Sequence, residues 1–210
     1  MAQAPLPVNV ALTSPTGTPA NARTPLRANN QGAMTVNQLG GEKYPMVLDG
    51  TLYDGANQAG ATLSAGLATT YTGLCLSNPA GSLKNLFVRQ VAVTIAIAPA
   101  AFLALGFITG WAAGGITVHT TPLVPRPGNV GRASASVANI DAACTLVGAG
   151  AFAPAFSQWL TSNYNTAGGA WTSIDMQAGF MVPPGGYVAI GANVAGPASG
   201  FFGSFEWLEI

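Results

Sequence analysis

The chain has 210 residues, room for one β-domain of jelly-roll size plus an arm, and only 7% of them are charged, where an ordinary soluble domain carries roughly 25%. Its seven basic and seven acidic side chains cancel, so they make no electrostatic footprint for nucleic acid, and a surface this neutral tends to associate. Glu42, Lys43, Lys84, Glu206 and Glu209 are its only Glu and Lys residues, too few for the i,i+4 pairs of solvent-exposed helices, which excludes a helical soluble protein.

Residues 1–40 stand apart. They hold Pro5, Pro7, Pro15, Pro19 and Pro25 and no aromatic side chain, and they cannot bury enough apolar area to fold alone. They are expected to form an extended arm that orders on a neighbouring subunit. Its charges, Arg23 and Arg27, are the candidate assembly contacts, aimed at carboxylates or carbonyls of another subunit. Residues 1–31 lack the apolar core of a secretory signal, so synthesis in the cytoplasm is expected.

The folded domain is expected over residues 41–210. Tyr44–Asp49 reads as a strand closing in an Asp49-Gly50 turn, and Leu52–Gly55 as a second short strand with its own Asp-Gly turn. Leu67–Leu76 is a third candidate strand, punctuated by Asn78-Pro79-Ala80-Gly81. Leu86–Ala98 has the clearest pattern: Val91, Val93, Ile95 and Ile97 alternate with small or polar residues. The uncharged run from 91 to 118 is long enough to span a bilayer. Its period of two, Pro99, and the glycines at 106, 110, 114 and 115 predict buried strands instead, with no membrane span.

Ile116–Thr120 is a further strand candidate, followed by a loop with Pro122, Pro125 and Pro127. Over residues 151–160, Phe152, Phe156, Trp159 and Leu160 fall on a helical stripe, which predicts one brief helix, and 163–170 reads as a loop. Pro183-Pro184-Gly185-Gly186 reads as a hairpin turn. Phe201–Ile210 reads as a strand tied into the sheet, with Phe205 and Trp207 on one face. The expected fold is all-β: a jelly-roll-like antiparallel β-sandwich with an extended N-terminal arm and at most one short helix.

Catalytic patterns are missing. His119 is the only histidine, and it could join Asp141 or Asp175 in a triad only formally, because no Gly-x-Ser-x-Gly elbow is present. No Cys-x-x-Cys, Asp-x-Asp or Gly-Lys-Ser/Thr pattern occurs. The expectation is no enzyme, no cofactor and no metal. Cys75 and Cys144 sit in apolar surroundings and read as small buried residues, although one bridge between them is arithmetically open.

Several segments resemble those of tailed-phage virion proteins with jelly-roll or tumour-necrosis-factor-like sandwiches, the head decoration and head-associated proteins. They are Leu52-Tyr53-Asp54-Gly55-Ala56, Thr70–Asn78, His119-Thr120-Thr121-Pro122 and Val182–Ile190. The resemblance implies a homotrimer in the virion that binds the major capsid protein or other virion proteins through its arm. It would oligomerise through uncharged sheet surfaces. The alternative is a tail, baseplate or fibre protein in which Trp111, Tyr164 and Trp171 contact host glycans.

Overall fold

The computed structural model describes residues 9–11, 23–25, 43–164 and 170–210. The chain divides into two units, Met1–Gly50 and Thr51–Ile210. In the first, β1 (Asn9–Ala11) and β2 (Arg23–Pro25) pair antiparallel, Asn9 opposite Pro25. The rest of the expected arm lies outside the described residues.

Tyr44–Asp49, expected as a strand, is the helix α1. Six residues are too few to separate a period of two from one of 3.6, and the punctuation decides. Pro45 occupies the first turn, where its missing N–H costs nothing. Gly50 follows in the left-handed conformation at φ 71°, and its N–H reaches the carbonyls of Met46 and Val47.

The second unit is an antiparallel β-sandwich. In chain order its strands are β3 (Leu52–Ala56), β4 (Thr70–Ser77), β5 (Leu86–Ile95), β6 (Leu103–Trp111), β7 (His119–Leu123), β8 (Arg126–Pro127), β9 (Asn139–Thr145), β10 (Ala155–Tyr164), β11 (Ala170–Val182), β12 (Gly186–Ala192) and β13 (Phe201–Glu209). One sheet has the order β10-β6-β12-β4-β9-β7 and the other β11-β5-β13-β3-β8. Val91, Val93 and Ile95 of β5 point inward as their alternation predicts. They join Phe201, Phe205 and Trp207 of β13 and Tyr53 of β3 against Leu74, Leu105, Phe107, Ile140 and Ile190 of the facing sheet. Apolar area removed from water on both inner faces holds the layers together.

A second buried cluster lies on the outer face of the six-stranded sheet. Tyr71, Cys75, Ile108, Cys144, Tyr187 and Ala189 pack there beneath Ile116 and Leu146. Leu74 and Leu76 point to the inner core while Cys75 between them points out, as strand alternation requires. The uncharged run from 91 to 118 forms the end of β5, all of β6 and a loop. Among the described residues no helix is long and apolar enough to cross a membrane.

Further local expectations are corrected within this unit. Asp54-Gly55 is not a turn; it lies within β3, opposite Glu206 and Phe205. Gly55 is there for space, because a Cβ would collide with Ile140 of the facing sheet. The strand expected over Ile116–Thr120 runs from His119 to Leu123, and Ile116 is instead buried beneath the sheet from a loop. The proline loop contributes Pro122 to β7 and Pro127 to β8, both at sheet edges, where a missing N–H is tolerated.

The helix expected over 151–160 is a 3₁₀ turn at Gly150–Phe152 followed by β10. The helical stripe has a definite origin. A bulge between Phe156 and Gln158 places Phe156 opposite Ile108 and Trp159 opposite Gly106. Two side chains three residues apart therefore share one face of a strand, the spacing a helix produces.

Candidate interaction surface

Arg23 opens β2 opposite Ala11, and Arg27 lies outside the described residues. The side chains of Tyr164 and Trp171 also fall outside the description. Trp111 is described and ends β6 at the rim of the sandwich, 37% exposed. Its indole N–H donates to the Pro184 carbonyl at 2.8 Å, so the β11–β12 turn fixes the ring. Phe152 meets it edge-on, with ring centroids 5.3 Å apart.

Two clefts adjoin Trp111. The larger, about 520 Å³, is lined by Thr109, Trp111, Ala151, Phe152, Ala155 and Pro183. The smaller, about 230 Å³, adds Phe180, Met181 and Val182. No lining side chain of either cleft is charged.

A second, separate aromatic pair lies on β10, on the outer face of the six-stranded sheet. Phe156 and Trp159 stack with centroids 4.5 Å apart and planes 16° from parallel. They lie over a shelf made by two glycines on neighbouring strands, Gly106 and Gly191, which are Cα partners. A Cβ on Gly106 would sit 2.9 Å from the Trp159 ring, and one on Gly191 would sit 3.0 Å from Phe156. Trp159 is nevertheless 52% exposed and Phe152 56% exposed. The sequence carries no charge from 142 to 174. This face can stack and exclude water; it offers no acid or base.

The other cluster with chemical character centres on His119. Its Nδ1 lies 2.7 Å from Asp141 Oδ2, tying the edge strand β7 to β9. Asp141 is fully buried, and its Oδ1 has no hydrogen-bond partner among the described residues. Cys144 lies opposite His119 and Cys75 opposite Asp141. Both thiols are free and buried, and burial pushes Cys75 well above its usual range. Neither cleft beside Trp111 is lined by any of these four residues. Among the described residues no group of three or more His, Cys, Asp or Glu could hold a metal ion.

Burial also raises the Asp141 carboxyl above its usual range, against the lowering effect of the His119 hydrogen bond and charge. The folded protein therefore keeps a proton that the unfolded chain releases. Stability contributed by this group is full below the ordinary carboxylate range and declines as pH rises toward the folded value. Thermal midpoints measured from acid pH upward should show this decline in the native protein. The slope should flatten in Asp141→Asn; an unchanged slope would remove Asp141 as its source.

No protein-family model matches the chain, and no curated protein or solved structure matches it. The surface therefore has to be read from its own residues. Sequence reasoning singled out Trp111 but placed Phe152, Phe156 and Trp159 on the stripe of a brief helix. The available signal was the lack of charge around three clustered aromatics.

Proposed function

We propose that this protein is a virion structural subunit, most specifically a capsid decoration or cement protein. In this reading it forms a homotrimer, binds the shell through residues 1–40 and oligomerises through uncharged sheet surface. One observation supports this most: a β-sandwich with few charges exposes Trp111 and Phe152 side by side at a cleft whose lining carries no charged side chain. Interfaces deplete charge at their centre and gather aromatic residues there, whereas scattered exposed apolar residues are ordinary.

Deleting residues 1–40 should leave a folded body that no longer co-sediments with particles. Retained co-sedimentation would sink the anchoring role. Copy number in the intact particle tests the location: hundreds of copies place the protein on the shell, a few on the tail.

The Trp111 cleft favours a second reading, a tail or fibre protein that stacks sugar rings on Trp111. Binding of neutral oligosaccharides that is lost in Trp111→Ala would support it.

A further inference from the structure

We infer that the edge strand β11 pairs with β11 of a second copy, antiparallel about a two-fold axis, joining two five-stranded sheets into one. The inference goes beyond the assembly reading above, because a two-fold contact joins single chains or whole trimers alike.

Edge protection is the first argument. A strand at a sheet border offers its outer backbone groups to any other strand, and proteins blunt such borders with proline, bulges or short strands. Among the described residues, β10 and β7 border one sheet and β11 and β8 the other. β10 shifts register at Phe156/Gln158, Trp159/Thr161 and Ser162/Tyr164, so it never holds register for more than two residues. β7 shifts at His119/Thr121 and Thr121/Pro122 and contains a proline. β8 is two residues long and ends in Pro127. β11 carries none of these devices over Ala170–Asp175, six residues in unbroken register with β5. Its own break, between Asp175 and Phe180, comes after that run.

Self-complementarity is the second argument, and it selects the occupant. Antiparallel partners share a face, so a two-fold axis must set one residue of the run opposite its own copy. With Ser173 at the axis, Thr172 stands opposite Ile174 of the copy and Trp171 opposite Asp175. Asp175 is the only charged residue of the run, and this register keeps it away from its own copy, avoiding the repulsion that penalises self-association. Thr172 and Ile174 lie opposite Val93 and Val91, on the core face, yet both are only half-buried. A facing strand would cover what they still expose, and β-branched side chains suit such cross-strand pairs.

Closure is the third. Pairing β11 with β11 uses up both borders at once and leaves β8 at either end of the joined sheet, too short to continue it. Association therefore stops at two sheets instead of growing into a fibre. A run of six residues at ~3.4 Å each makes a contact about 20 Å long, one of the smaller specific interfaces, with dissociation at roughly micromolar concentration.

The test uses the full chain and sedimentation equilibrium over about 1–500 µM, a range that brackets such an affinity. The native mass should double across the range. Ser173→Lys sets like charges opposite each other at the axis and should weaken association by about tenfold or more. Ser173→Glu should do the same, and an equimolar mixture of the two variants should recover native association. Circular dichroism melting of each variant should stay near native, because Ser173 is half-buried on the outer face, where its hydroxyl accepts from Gln90 Nε2 at 2.7 Å. Gln158→Lys, at an exposed residue of the β10 border, should change nothing.

A native protein whose mass Ser173→Lys fails to halve at any concentration overturns the inference. So does a mixture that associates no better than either variant alone, or a Gln158→Lys variant that dissociates as Ser173→Lys does.

Discussion

Glu209→Ala is expected to lower stability by about 3 kcal/mol, because it strips a buried acceptor from several donors at once. The Glu209 side chain has no solvent exposure. It accepts from Ser136 Oγ at 2.5 Å, from the Val137 N–H at 3.1 Å and from the Trp207 indole N–H at 3.3 Å. Lys84 Nζ completes the shell at 3.3 Å. Alanine leaves the indole and backbone donors buried without that partner, at roughly 1–3 kcal/mol each before relaxation. In a chain of this size the melting temperature should drop by roughly 6–12 °C. Lys84→Ala separates the ion pair from the hydrogen bonds. Lys84 is 41% exposed, so its loss should cost less than about 1 kcal/mol. Equal losses for the two variants would show that charge pairing, not donor satisfaction, holds this corner.

Gly73→Ala should cost about 3 kcal/mol, from backbone strain and steric collision together. Gly73 lies in β4 at φ 147°, where side chains are rarely accommodated. An added Cβ would collide with the Tyr71 hydroxyl and press on Leu63 at 2.7 Å. That hydroxyl has little freedom to retreat. It accepts the Leu74 N–H at 2.7 Å and donates to the Ile190 carbonyl at 2.6 Å, bridging β4 to β12. Urea titration should show a lower midpoint with an unchanged slope, and Tyr71→Phe should lose about 2 kcal/mol. The double variant should lose less than the sum, because removing the hydroxyl relieves part of the clash. Strict additivity would mean that strain at Gly73 acts independently of the Tyr71 bridge.

Legibility of the fold in the sequence depended on how regular each element is. Val91, Val93 and Ile95 declare β5 because burial alternates without interruption from Gln90 to Ile95. Pro183–Gly186 marks the β11–β12 turn because proline and glycine act locally. β10 was misread because its bulge converts a period of two into a spacing of three, and bulges leave no residue signature of their own. Tyr44–Asp49 was misread because six residues fit either period. At the candidate surface, Trp111 is visible in the sequence as one of three aromatics able to contact glycans. The shelf under Trp159 was not, because Gly106 and Gly191 meet only through pairing of β6 with β12. His119 and Asp141 were one of two formal pairings, and only the β7–β9 register chooses between them.

The position of β13 has a consequence for how the chain reaches its native state. Residues 201–209 pair with β5 on one side and β3 on the other, so β3 and β5 join the same sheet only through a strand more than a hundred residues downstream. Contacts that distant close slowly, since loop entropy is lost before burial repays it. During synthesis one edge of the valine-rich β5 must wait, unpaired, until residues 201–209 have left the ribosome. At roughly 5–20 residues per second that wait is on the order of ten seconds. A high local concentration of nascent chains in that interval favours aggregation, so production yield should be more sensitive to expression rate and temperature than the stability of the finished sandwich would suggest.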